Sequence, residues 1–224
     1  LLPSPATHNG GKVETKDGEI ACSAADPFSA FVFKTVADPF VGKMSFVKVV
    51  SGKLTPDLQP VNSRTGAPER LGKLLCVKGK KQEDAAVVEA GDICVISKLA
   101  VTGTGDTLYD AKRPVAFNEI KFPNPTLSMA VKAKSKGDEG KISQGLQRLI
   151  EEDPTVKFEI NAETKEQILT GLGEQHLDVI VSKLKNKFGT DVTLEKPTCP
   201  YRETIRKKAA NIEGKHKKQT GGHG

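Results

Sequence analysis

The sequence predicts two consecutive domains, an all-β barrel followed by an α+β domain of βαββαβ order. Three observations carry that expectation. From Asp26 to about Val115, short apolar runs alternate with glycine-bearing turns. After Pro123-Asn124-Pro125 the apolar period changes from that of a strand to that of a helix and back. The 224 residues leave room for two small cores, each able to bury its own apolar side chains.

Residues 1–25 hold prolines, glycines and polar residues without a sustained period and read as a linker. Residues 26–122 form the expected barrel. Its apolar runs are Ala30 to Val36, Met44 to Val50, Leu74 to Val77, Ile93 to Ile96 and Val115 to Phe117, punctuated by Gly52-Lys53, Gly79-Lys80, Gly91-Asp92 and Gly105-Asp106. Several short strands at such spacing suggest a closed barrel.

Residues 123–197 form the second domain. Leu127, Met129, Val131 and Ala133 alternate on one face of a strand. Ile142, Leu146, Leu149 and Ile150 then recur at helical spacing until Asp153-Pro154, because proline disfavours a helical residue before it. Val156, Phe158 and Ile160 mark a second strand and residues 167–172 a third. Leu177, Ile180, Val181, Leu184 and Phe188 make the stripe of a second helix, with Glu174 at its positive end and Gly189 as its C-terminal cap. Val192 and Leu194 supply the last strand, and the order βαββαβ is that of a ferredoxin-like sandwich. Residues 198–224, with an expected strand at Tyr201 to Ile205, are too few for a core and read as the opening of a further domain.

Hydrophobic residues at 37% and charged residues at 28% suit a globular chain. No apolar run approaches the ~20 residues of a membrane helix, and the first residues lack the pattern of a secretory signal, so a cytoplasmic location is expected. Cys22, Cys76, Cys94 and Cys199 are scattered without a C-x-x-C pair, which argues against disulfides and structural zinc. His8, His176, His216 and His223 show no metal spacing either. No catalytic residue, cofactor-binding residue or metal ligand is expected in these 224 residues.

Charge is unevenly distributed. Of the net +6, a net +5 lies in the last 24 residues, where Arg202, Arg206, Lys207, Lys208, Lys215, Lys217 and Lys218 face only Glu203 and Glu213. Such a cluster is either a solvated charged segment or a surface for phosphate backbones. The phrase Gly171-Leu172-Gly173-Glu174-Gln175-His176-Leu177-Asp178 lies where the third strand meets the second helix. It is either a structural turn, with His176 and Glu174 bonded inside the domain, or an interdomain junction.

The same phrase resembles the G-x-G-E-x-H-L-D element of the third domain of elongation factor G. Glu151-Glu152-Asp153-Pro154-Thr155 resembles the E-D-P-[ST] that closes that domain's first helix, and Tyr201-Arg202-Glu203-Thr204-Ile205 the Y-R-E-T-I leading into the fourth. Glu89-Ala90-Gly91-Asp92 and Thr104-Gly105-Asp106-Thr107-Leu108 resemble turns of the second, barrel domain. Leu2-Pro3-Ser4-Pro5 is similar to the L-P-S-P exit from the GTPase domain, and Gln219-Thr220-Gly221-Gly222-His223-Gly224 to the Q-[ST]-G-G-x-G of the fourth. Leu75 to Gln82 departs from the principal translocase toward its paralogues.

The resemblance implies a translation-factor barrel and a ferredoxin-like domain from a ribosome-dependent GTPase that promotes translocation in protein synthesis. Ribosomal RNA and proteins, and a GTPase domain in cis, would be its partners; a monomer away from membranes is expected. The intact parent would use GTP and magnesium. Arg202, Arg206, Lys207, Lys208, Lys215, Lys217 and Lys218 would contact the ribosome, while Gly171, Gly173, Glu174 and His176 would form the interdomain junction. The chain itself offers no G-x-x-x-x-G-K-[ST] loop: Gly42-Lys43-Met44 and Gly140-Lys141-Ile142 fail at both the first glycine and the hydroxyl. Alternatives are a ribosomal-protection (tetracycline resistance) or ribosome-recycling paralogue, a self-contained RNA-binding or regulatory module, and an acylphosphatase-like hydrolase.

Overall fold

The computed structural model describes residues 2–79, 81–135, 137–208 and 210–214. Strands begin earlier than the sequence suggests. β1 (Lys12–Thr15) and β2 (Gly18–Ala21) pair as an antiparallel hairpin within the stretch read as a linker. The cause lies downstream. Ile20 and Val13 pack with Val50, Val115 and Phe117 on the outer side of the barrel, and the Lys16 amide donates to the Ala116 carbonyl at 2.9 Å. Val115 to Phe117 serves this cluster without joining a ladder as a strand. There the Phe117 amide donates instead to Thr107 Oγ1 at 3.0 Å.

The barrel comprises β3 (Ser29–Asp38), β4 (Gly42–Ser51), β5 (Lys53–Leu54), β6 (Val61–Asn62), β7 (Leu74–Lys78), β8 (Lys81–Asp84), β9 (Val88–Glu89), β10 (Ile93–Ser97) and β11 (Thr107–Tyr109). Seven of these form one antiparallel sheet in the order β6-β11-β3-β4-β10-β7-β8, and β5 pairs with β9 in a separate ribbon. Ala30, Val32, Val47, Val49, Ile96 and Leu108 line the inner core, which Leu54 and Val88 of the ribbon join. Burying a Val, Leu or Ile side chain contributes about 1.5–3 kcal/mol. A slip of one residue would turn this whole inner set to solvent, so the core fixes the register.

Two buried acids brace the barrel's loops. Glu69, 3% exposed, accepts hydrogen bonds from the amides of Ala100, Val101 and Thr102 and from Thr102 Oγ1 at 2.6 Å. Asp106 accepts from Arg64 Nε and Nη2, from Asn62 Nδ2 and from the Gly103 amide, at 2.8–2.9 Å. Burial by itself would raise both carboxyl pKa values. Hydrogen bonds, led by Thr102 for Glu69 and Arg64 for Asp106, outweigh it and hold both below the ordinary range.

The second domain follows the expected order: β12 (Leu127–Ala133), α1 (Glu139–Glu152), β13 (Lys157–Ile160), β14 (Gln167–Gly171), α2 (Glu174–Phe188) and β15 (Val192–Glu195). Its antiparallel sheet runs β13-β14-β12-β15. Ile142, Leu146 and Leu149 of α1 and Leu177, Ile180 and Leu184 of α2 share one core with Val131, Leu169 and Val192 of the sheet. Gly189 ends α2 in the left-handed region at φ 68°, as a C-terminal glycine does. Tyr201 to Ile205 does not form the expected strand. No described strand lies beside it, and an isolated strand has no ladder to stabilise it.

Candidate functional site: an interdomain junction and a basic segment

The end of α1 is where the two domains meet. β11 pairs with β3 only along Ser29 to Phe31, so the later part of that β3 edge carries backbone groups without a strand partner. α1 packs against β3, and the Ala37 amide donates to Glu152 Oε2 at 3.2 Å. Covering a free strand edge with a helix is one of the ways such edges are protected.

Glu152 also accepts from Lys183 Nζ at Oε1 and from Lys187 Nζ at Oε2, both at 2.7 Å. Lys187 in turn donates to the Ala37 carbonyl at 3.3 Å. The two lysines stand four apart on α2 and so share a face. The Glu152 side chain is 11% exposed. Burial works to raise its carboxyl, but the lysine hydrogen bonds and the Ala37 amide outweigh this and hold it below its ordinary value.

The next residue turns the other way. Asp153 Oδ1 accepts from the Thr155 amide at 2.9 Å and from Thr155 Oγ1 at 2.6 Å, which fixes the turn after the helix. Asp153 Oδ2 lies 3.1 Å from His176 Nε2. The Leu172 amide donates to His176 Nδ1 at 3.1 Å, so Nε2 carries the ring proton and donates to Asp153. Burial opposes ionisation of Asp153, while Thr155 and His176 favour it, with a net lowering. Two phrases that are separate in sequence, Glu152-Asp153-Pro154-Thr155 and Gly171 to Asp178, thus form one cluster.

Each predicted junction residue has a distinct place. His176 bonds within its own domain. A Cβ at Gly171 would stand 2.7 Å from Leu177 Cδ2 and 3.2 Å from His176 Nδ1, so a larger residue in the strand-to-helix turn would displace both side chains. Gly173 is extended, and a Cβ on it would meet nothing within 4 Å; the tight approach belongs to Gly171 alone. Glu174 opens α2 and borders a cleft with Leu127, Met129, Leu177, Asp178 and Leu194.

The basic residues are less gathered. Arg202, Arg206, Lys207 and Lys208 are exposed on a segment without regular secondary structure. Thr198 anchors it by donating its amide and hydroxyl to Glu166 at 3.0 and 2.8 Å, and Arg202 pairs with Glu163. Lys215, Lys217, Lys218 and the Gly221-Gly222-His223-Gly224 phrase lie outside the described residues. Sequence reasoning assigned no role to Ala37, Lys183 or Lys187, nor to Glu152 and Asp153 beyond closing a helix. The one available signal was the pair of lysines at helical spacing on α2. Among the described residues, no group of His, Cys, Asp and Glu could hold a metal ion, and no helix is long and apolar enough to cross a membrane.

Comparison with known families decides the setting of this junction. A family described as "Elongation factor G domain 2" matches residues 27–111, and one described as "Elongation Factor G, domain III" matches residues 122–196. These are two domains of an elongation factor G-like protein. The Glu152 cluster is therefore a contact between domains 2 and III. The chain is also similar to a crystallised protein of Thermus thermophilus, with 31% sequence identity and a TM-score of 0.71, covering 92% of this chain and 29% of that one. It spans less than a third of the length of that relative, and in elongation factor G terms only the stretch centred on domains 2 and III is assigned.

Proposed function

We propose that the chain is the central part of a ribosome-dependent translational GTPase that promotes translocation. In this reading domain 2 contacts small-subunit ribosomal RNA and the GTPase domain, and domain III passes rearrangements of the GTPase domain toward the fourth domain. The observation that supports it best is the double anchoring at the end of α1. Consecutive acids tie domain III to the main chain of domain 2 on one side and to the turn at Gly171 and His176 on the other. In this reading a displacement at either end passes to the other through the hydrogen bond to Glu152, the peptide link to Asp153 and the hydrogen bond to His176. Arg202, Arg206, Lys207, Lys208, Lys215, Lys217 and Lys218 serve as phosphate contacts, and GTP and magnesium are held by a separate GTPase domain of the parent.

A ribosome-pelleting series at rising salt tests this reading. The chain should co-sediment with ribosomes at low salt and dissociate as salt increases, because release of counterions drives phosphate contacts. Truncation after Pro197 should weaken binding at every salt concentration. Equal binding by the truncated and complete chains would remove the basic segment from the interface. Complementation of a translocation-deficient strain by the full-length gene distinguishes a translocase from a ribosomal-protection or recycling paralogue, the second reading that Leu75 to Gln82 favours.

A further inference from the structure

β7 and β10 bring together two cysteines that the sequence scatters. The strands are antiparallel, with Val95 opposite Leu75 and Ile96 opposite Leu74. One more step of the same register sets Cys94 opposite Cys76. Leu74, Ile96 and Cys94 belong to the inner core, whereas Leu75, Val95 and Val77 belong to a cluster on the other face. Side chains alternate along a strand, so Cys76 shares the inner face with Cys94. Their proximity is also felt electrostatically: the Cys94 thiol is pushed up to about 12, first by burial, then by the charges of Asp92 and Cys76. Residues directly opposite in an antiparallel pair have Cα atoms about 4.5–5.5 Å apart, within the roughly 4.4–6.8 Å that a disulfide spans.

The two thiols are unequal. Cys94 is buried and Cys76 half-buried. Only β8 separates β7 from the edge of the sheet, and every residue of β8 is exposed. A small oxidant therefore reaches Cys76 first.

We propose that Cys76 and Cys94 form a cross-strand dithiol that a hydroperoxide converts reversibly to a disulfide, making the barrel a site of oxidative modification. The Cys76 thiolate attacks hydrogen peroxide; an S–O bond forms, the O–O bond breaks, and the departing oxygen leaves as water after taking a proton. The Cys94 sulfur, giving up its proton, then attacks the sulfenic sulfur of Cys76. The S–S bond forms, the S–O bond breaks, and a second water departs. Two thiols lose two electrons in all, and the peroxide is reduced to two waters. A buried thiol of raised pKa is a poor first nucleophile, which assigns Cys94 to the resolving step. The site stands independently of any role on the ribosome.

Peroxide treatment of the whole chain, followed by alkylation under denaturing conditions and tryptic mapping without reductant, tests the proposal. The expected product is a monomer lighter by two hydrogens. Its peptide containing Cys76 should be joined to the one containing Cys94, and dithiothreitol should restore both thiols. Cys76→Ala and Cys94→Val should each abolish the joined peptide, while Cys22→Ala and Cys199→Ala should leave it. The wild-type map needs no variant to fold. Several outcomes would overturn the pair: linkage to Cys22 or Cys199 instead, dimers through Cys199 alone, oxidation that stops at the sulfinic acid of Cys76 with Cys94 still a thiol, or both thiols surviving in the folded chain while the unfolded chain oxidises.

Discussion

The buried acids of domain 2 and the paired acids of domain III are bonded to different ends. Glu69 and Asp106 take their partners from neighbouring loops of the same barrel. Glu152 reaches the other domain, and Asp153 reaches the far end of its own. The first pair ties together loops of one domain, whereas in the second pair Glu152 links two domains and Asp153 fixes a turn within one. Stability measurements should therefore separate them: the barrel acids should dominate unfolding of one core, and the α1 acids should govern the relation between cores.

The largest effect is expected from Glu69→Ala. It leaves the buried amide and hydroxyl of Thr102 and the part-buried amides of Ala100 and Val101 without their acceptor, and a buried unpaired group costs about 1–3 kcal/mol. We expect a loss of about 3 kcal/mol in urea unfolding followed by signals of domain 2, with the transition of domain III unmoved. Equal shifts in both transitions would mean that the two cores unfold together.

Gly171→Ala comes next. The new methyl meets Leu177 and His176 inside contact distance, and overpacking of this kind costs about 1–3 kcal/mol. Gly173→Ala, two residues on, should change stability by less than about 0.5 kcal/mol. A thermal melt of domain III that ranked these two variants in the opposite order would break the assignment of the tight turn to Gly171.

Glu152→Gln should act more gently, because Lys183 and Lys187 remain about a third exposed and recover hydration. Exchange of the Ala37 amide should speed up about fivefold, corresponding to about 1 kcal/mol, with both core transitions nearly unchanged. Acid should do the same to the wild type. The carboxyl is held below its ordinary 4.5, so its contribution is complete above that value and is lost as pH falls through the lower folded-state value. An Ala37 amide protected equally at neutral and acid pH would show that Glu152 does not close the junction.

Much of this architecture was legible in the sequence. Ile142, Leu146 and Leu149 in one helix and Leu177, Ile180 and Leu184 in the other repeat with the period of the face they bury, and Pro154 and Gly189 mark where the helices end. The hairpin at β1 and β2 was not legible, because its residues alternate weakly and its stability comes from Val115 and Phe117, far along the chain. Tyr201 to Ile205 failed in the opposite sense: strand-like alternation was present without a neighbouring strand to pair with. At the candidate junction, the glycine and histidine phrase stood out by composition. Glu152, Lys183 and Lys187 did not, since charged residues on a helix usually face water and only the fold reveals that these three face one another and a strand edge. Cys76 and Cys94 were hidden for a similar reason, because register rather than spacing makes them neighbours.

One half of the interdomain contact is written in peptide groups. Glu152 and Lys187 address the amide and the carbonyl of Ala37, groups that every residue except proline supplies in full. A change at position 37 can leave both bonds available, but Ala37 is buried, so only small side chains fit there without displacing their neighbours. Proline at 37 would delete the donor without touching any charge. Variation that retunes the joint without disturbing the packing around Ala37 therefore falls on the acid and the two lysines, whose charges set the strength of the contact.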